Sequence, residues 1–151
     1  MADLPDLPLV DEHRVRVQAA PSVVWTCLGR SLPGQHGGDG GLFRLLGTEP
    51  SRASGEPLRA GSTIRGFAVV EAVPGERLVL AGRHRFSVYR LVFELIGGDG
   101  VVELVARSEA LFPGILGRVY RGLVIGSGGH RVVVRRWLRG IRSAAEAAEP
   151  A

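Results

Sequence analysis

Five side chains able to do acid–base or hydrogen-bonding chemistry stand out from an apolar pattern: His84, Tyr89, Ser108, Tyr120 and His130. Imidazole and phenol groups together can orient a carbonyl or an enolate and move a proton near neutral pH. Other chemistries find less support. The histidines at positions 13, 36, 84 and 130 lack the spacing of a metal site, and the single cysteine, Cys27, adds little, so no metal is expected. No G-x-S-x-G motif is present to present a nucleophilic serine. The glycine-rich stretch Pro33–Gly41 (PGQHGGDGG) is not followed by Gly-Lys-Ser/Thr and reads as a loop, not a phosphate cradle. No cofactor is expected. The inner strand faces are nearly free of acids, so no carboxylate is expected to orient His84 or His130.

These residues need elements to hold them. Glu12–Ala19 (EHRVRVQA) alternates, with Val15, Val17 and Ala19 on one side and Arg14, Arg16 and Gln18 on the other, which predicts a half-buried strand. Pro21 then opens a short helix with Val24, Trp25 and Leu28 at helical spacing and Cys27 as a buried, inert thiol. Residues 42–46 fit a short strand or a helical turn, and 49–61 a loop. Three further strands are Ser62–Val73, Arg77–Phe86 and Val88–Ile96, and a Gly97–Gly100 hairpin loop leads into a last strand, Val101–Ala110. Their short connections predict an antiparallel meander with one covered face. The inner sets are Leu78, Leu80, Gly82, His84 and Phe86; Tyr89, Leu91, Phe93 and Leu95; and Val102, Leu104, Ala106 and Ser108. Phe67 and Val69 are placed on the outer face, where they would allow a homodimer.

From Pro113 to Ala148 the period becomes helical. At about 100° per residue, Val133, Val134, Trp137, Leu138, Ile141, Ala144 and Ala145 fall within roughly 140° of arc around His130. Arg131, Arg135, Arg136, Arg139 and Arg142 fall outside it. Upstream, Ile115, Leu116, Val119, Tyr120, Leu123 and Val124 cluster opposite Arg118 and Arg121. One helix of about 35 residues would run about 50 Å, so a break is expected at Gly126-Ser127-Gly128-Gly129. The apolar stripe should pack on the concave sheet face, with the arginines as its solvated back. Seven arginines and no acid between Gly114 and Ala145 leave an alternative: an anionic surface such as nucleic acid, lipid headgroups or an acidic partner.

The length of 151 residues suits one domain, and 45% hydrophobic content excludes a disordered chain. The expected organisation is a flexible segment over 1–11, a domain over 12–148 and a disordered tail over 149–151. No apolar run reaches the roughly 20 residues of a membrane span. The acidic, proline-broken start does not resemble a secretory signal, and one cysteine suits a reducing compartment, so the cytoplasm is expected. Every basic side chain is arginine, as the codon bias of a GC-rich bacterial genome would produce, and the formal net charge is +4.

The order strand, helix, loop, antiparallel sheet, long C-terminal helix resembles the helix-grip fold of the START / polyketide-cyclase-like superfamily, SRPBCC. The residues that carry the likeness are Val15-Arg16-Val17-Gln18-Ala19-Ala20-Pro21 with Val24-Trp25, then Gly61-Ser62-Thr63-Ile64, Glu71 and Pro74-Gly75-Glu76-Arg77-Leu78. The tail Pro113-Gly114, Gly117-Arg118-Val119-Tyr120, His130, Arg135-Arg136-Trp137-Leu138 and Ile141 resembles an uncharacterised bacterial branch. Two departures stand beside it: about six strands where the fold usually has seven, and no clear second helix. The fold implied is α+β, a curved antiparallel sheet wrapped around a long C-terminal helix, with a short helix after the first strand.

Such a fold implies a cavity between sheet and helix for a lipid-, polyketide- or aromatic-type molecule. Its expected wall is His84, Tyr89, Leu91, Leu104, Ala106, Ser108, Tyr120, His130, Val134, Trp137 and Ile141, with Gly82 and Ala106 leaving room. Three functions follow: a carrier or sensor of a small hydrophobic molecule, a metal-free cyclase or dehydratase-like enzyme, or an interaction module using the arginine face.

Overall fold

The computed structural model describes residues 6–32, 55–56, 58–64 and 66–150. The glycine-rich stretch 33–41, the undecided element 42–46 and residues 49–54 of the predicted loop lie outside them. The elements are β1 (Leu9–Val17), α1 (Pro21–Ser31), β2 (Thr63–Ile64), β3 (Phe67–Val73), β4 (Arg77–His84), β5 (Ser87–Gly98), β6 (Val101–Leu111), α2 (Gly114–Arg121) and α3 (Gly129–Ala148). One antiparallel sheet runs in the order β1-β6-β5-β4-β3-β2. The predicted fold class is the observed one.

Several boundaries differ. The segment 62–73 is a hairpin of β2 and β3, not one strand. β1 starts at Leu9, so Leu9, Val10 and Asp11 belong to the sheet and not to a flexible leader. At the other end, Glu149 accepts a hydrogen bond from the Ala20 backbone N–H at 3.0 Å, and Glu146 accepts one from Gln18 N–H at 3.0 Å. The end of α3 is thereby strapped to the β1–α1 connection. Phe86 lies in the two-residue turn between β4 and β5, beyond the strand predicted to contain it.

The period-two faces are as predicted across the middle of the sheet. Leu78, Phe93 and Ala106 stand side by side on β4, β5 and β6, and Leu80, Leu91 and Ser108 form the next row. All six are buried against α1 and α3. Helix α3 contributes Val134, Leu138, Ile141 and Ala145, a stripe recurring every three to four residues. Trp137 meets Phe93 edge to face with ring centroids 5.2 Å apart, and its indole N–H donates to Ser31 Oγ at 2.7 Å.

The opposite, convex face is closed by charge. Arg77 pairs with Glu71 and Glu94, Arg107 with Glu12 and Glu94, Arg14 with Glu12 and Glu103, and Arg90 with Glu109. Val79, Val92 and Val105 are buried within this outer ladder, where the aliphatic stems of the neighbouring arginines can cover them. Phe67 and Val69 are not on it. Val69 pairs with Leu80 in the core, and Phe67 packs on Tyr89, so the outward patch expected to support a dimer does not form.

The helical tail breaks where its glycines predict. A π-helical turn over Gly122–Gly126 follows α2, and Gly128 takes a left-handed φ of 77° before α3 begins. The facing of α2 differs from expectation. Gly117 is its buried residue, whereas Ile115, Leu116, Val119 and Leu123 are exposed. The cause is close approach: a Cβ on Gly117 would lie 2.8 Å from the Phe112 carbonyl carbon and 3.1 Å from the Phe86 oxygen. Only a bare backbone fits there, so the glycine side of α2 faces the protein and the apolar side faces out.

Candidate functional site

Above the Leu80–Leu91–Ser108 row, sheet and helix separate and border a cavity of about 550 Å³ that opens to the surface. Its wall includes Val10, Phe67, His84, Tyr89, Leu91, Ser108, Ala110, Phe112, Tyr120, Val124, Ile125, His130, Val133, Val134 and Trp137. Eight of the eleven predicted wall residues therefore border it: His84, Tyr89, Leu91, Ser108, Tyr120, His130, Val134 and Trp137. Leu104, Ala106 and Ile141 do not. They face the same way but lie further along the sheet and helix, where side chains meet and fill the space. Gly82 leaves no room either, because the Gly66 carbonyl oxygen and the Tyr89 ring stand 2.1 Å and 2.7 Å from where its Cβ would be.

Two polar clusters border the cavity. In the first, the Phe86 backbone N–H donates to His84 Nδ1 at 3.1 Å, so that nitrogen carries no proton. The neutral ring then donates its Nε2–H to Ser87 Oγ at 3.2 Å. Burial pushes the His84 pKa below its ordinary value of 6.5, in keeping with this neutral tautomer. The His84 ring packs against Tyr120 at 4.8 Å and Tyr89 at 5.6 Å between centroids, and Tyr120 stacks on Phe86 at 5.5 Å. Tyr89 donates its hydroxyl to Gly66 O at 2.6 Å, and burial pushes its phenol pKa upward, with the Tyr120 hydroxyl adding to the shift. Burial also raises Tyr120. Both phenols remain protonated at neutral pH, and Tyr89 ties the β2–β3 hairpin to β5.

The sign of the His84 shift gives a pH prediction. A histidine held below its unfolded pKa binds fewer protons folded than unfolded, so acidification favours unfolding. Stability is expected to fall as pH drops below about 6.5, with a smaller slope in His84→Gln, measured by urea unfolding at stepped pH.

The second cluster contains a residue that sequence reasoning missed. Asp11 pairs with Ser108 across β1 and β6, and His13 pairs with Ala106, so both face inward with Val15 and Val17. The Asp11 side chain is only 9% exposed. His13 Nε2 lies 3.2 Å from Asp11 Oδ2, and Arg135 Nε donates to His13 Nδ1 at 3.5 Å. His130 Nε2 lies 3.0 Å from Ser108 Oγ and 3.5 Å from Asp11 Oδ1. That Asp11 oxygen makes no hydrogen bond among the described residues. A carboxylate therefore does stand beside His130, contrary to expectation. Ser108 and Asp11 approach the same imidazole nitrogen, not opposite ones, so the trio is not a nucleophilic triad. Ser108 and His130 border the cavity and can hold a polar group of a bound molecule there, with the Asp11 carboxylate behind them.

Among the described residues no cluster of metal-ligating side chains occurs, and no helix is long and apolar enough to cross a membrane.

No family model matches the sequence, and a search of curated proteins finds no match. Solved structures do resemble it. TTHA0849 from Thermus thermophilus aligns with a TM-score of 0.60 at 18% identity, covering 92% of this chain and 98% of that one. Mll3558 from Rhizobium loti gives 0.55 at 15% identity, covering 89% and 94%. DynU16, a protein of the dynemicin biosynthetic locus, gives 0.59 at 14% identity over 92% of this chain and 48% of its own. The likeness is one of fold. The chain spans about half the length of DynU16.

Proposed function

We propose that the chain binds one small, largely apolar molecule in the cavity between sheet and helix α3, as a carrier or sensor of the helix-grip superfamily. The observation that carries this is the cavity itself. Its volume of about 550 Å³ is in the range of small-molecule sites, and its wall is mainly apolar with a few oriented polar groups. Phe67, His84, Tyr89, Phe112, Tyr120 and Trp137 put ring faces and edges around the space. Such a wall favours a planar, aromatic ligand over a flexible acyl chain. A fold neighbour from a biosynthetic locus supports a ligand of biosynthetic origin.

The experiment is a titration with N-phenyl-1-naphthylamine, an uncharged aromatic fluorophore. Saturable enhancement at one site per chain, with quenching of Trp137, supports the reading. Absence of saturable binding contradicts it.

The pairing of Asp11 with His130 favours a second reading, a cyclase- or dehydratase-like proton-transfer enzyme. In that case Asp11→Asn and His130→Gln should keep fluorophore affinity within about threefold while lowering turnover of the natural molecule by about 100-fold or more. A carrier would show no turnover to lose.

A further inference from the structure

We propose that helix α2 and the π-helical turn after it form a docking face for an anionic lipid bilayer. This inference stands independently of what the cavity holds.

The first observation is an exposed apolar face with no covering element among the described residues. Ile115 is 79% exposed, Leu116 69%, Val119 55% and Leu123 69%. Ile115, Leu116 and Val119 lie along one side of α2, opposite the buried Gly117, and Leu123 follows in the π-helical turn. The close approach of Gly117 to Phe112 and Phe86 fixes this orientation, so the apolar side cannot turn inward without losing that contact. Four large aliphatic side chains held in water over two turns are costly, and burial in an acyl-chain boundary removes the cost.

The second observation is charge. Between Gly114 and Ala145 there are seven arginines and no acid. Arg118, Arg121 and Arg131 are exposed and pair with no carboxylate among the described residues. Arg118 and Arg121 also border a separate depression of about 180 Å³ whose floor includes Leu9, Ala110, Leu111 and Phe112. Leu9 and Leu111 are themselves exposed. Apolar ground rimmed by two guanidinium groups matches a lipid: phosphates meet the arginines, and acyl carbons meet the leucines.

The combination selects the bilayer over other anionic partners. Nucleic acid would engage the arginines but leave the four aliphatic side chains in water. A second copy would bring one acid-free arginine surface against another, and the repulsion opposes an isologous contact. An anionic bilayer satisfies both features. Helix α2 and the turn also supply Tyr120, Val124 and Ile125 to the cavity wall, so docking would set that wall at the lipid boundary.

The test is co-sedimentation with vesicles of phosphatidylcholine alone and of phosphatidylcholine with about 30 mol% phosphatidylglycerol. The expected result is binding to the anionic vesicles, weakened by raised salt. Leu116→Ser/Val119→Ser and Arg118→Gln/Arg121→Gln should each weaken it about fivefold or more. Both pairs are exposed, so the fold should persist, and circular dichroism checks this. No binding to anionic vesicles overturns the proposal. Binding undiminished by Leu116→Ser/Val119→Ser also overturns it, as does tight, salt-sensitive capture of duplex DNA in preference to the anionic vesicles.

Discussion

Phe93→Ala is expected to lower the free energy of unfolding by about 3–5 kcal/mol. Phe93 is fully buried at the centre of β5, between Leu78 and Ala106 in its row and beneath the Trp137 ring. Truncation removes the transfer energy of the ring and leaves a void lined by a sheet that cannot collapse, because its register is fixed on both sides. A domain of this size is stable by about 5–15 kcal/mol, so the loss is a large fraction of the total. Urea unfolding should show a lowered midpoint with an unchanged slope. A change below about 1 kcal/mol would mean that the space is refilled and that Phe93 is not packed between the sheet and Trp137.

Ala110→Phe is expected to weaken binding of N-phenyl-1-naphthylamine at least about tenfold while leaving the unfolding midpoint nearly unchanged. Ala110 pairs with Tyr89 on the cavity wall, beside the space and away from the packed core. A ring added there occupies volume that the ligand needs. Equal affinity in wild type and variant would place the fluorophore elsewhere, with the exposed α2 face the first alternative.

Much of this architecture is legible in the sequence because period two and period 3.6 carry it. Leu78 and Leu80, Leu91 and Phe93, and Leu104 and Ala106 declare their face by alternation, and Val134, Leu138 and Ile141 by helical spacing. Depth along an element is not encoded in that way. Leu104, Ala106 and Ile141 share a face with cavity residues, yet sit where sheet and helix touch. Asp11 was hidden for another reason. The parity that turns Val15 and Val17 inward also turns His13 and Asp11 inward, but two polar residues at a strand's start look like a solvated edge. Following the parity past Glu12 would have found them.

Helix α2 shows the opposite failure. Its apolar residues are numerous enough that amphipathicity alone suggests a buried side. The deciding residue is Gly117, whose lack of a side chain permits the approach to Phe112 and Phe86. A hydrophobicity pattern gives a glycine little weight, so it points to the apolar side as the packed one. The outward assignment of Phe67 and Val69 fell to a similar limit, because the hairpin between β2 and β3 splits what reads as one continuous strand.

Whether the cavity holds a small molecule decides the function. Native mass spectrometry of wild type and Ala110→Phe, each expressed in the source organism and gently desalted, tests it most directly. The expected wild-type species is heavier than the bare chain by one stoichiometric organic molecule, and the expected variant is at the mass of the chain alone. Wild type at the bare mass, or the same passenger on both proteins, would contradict it.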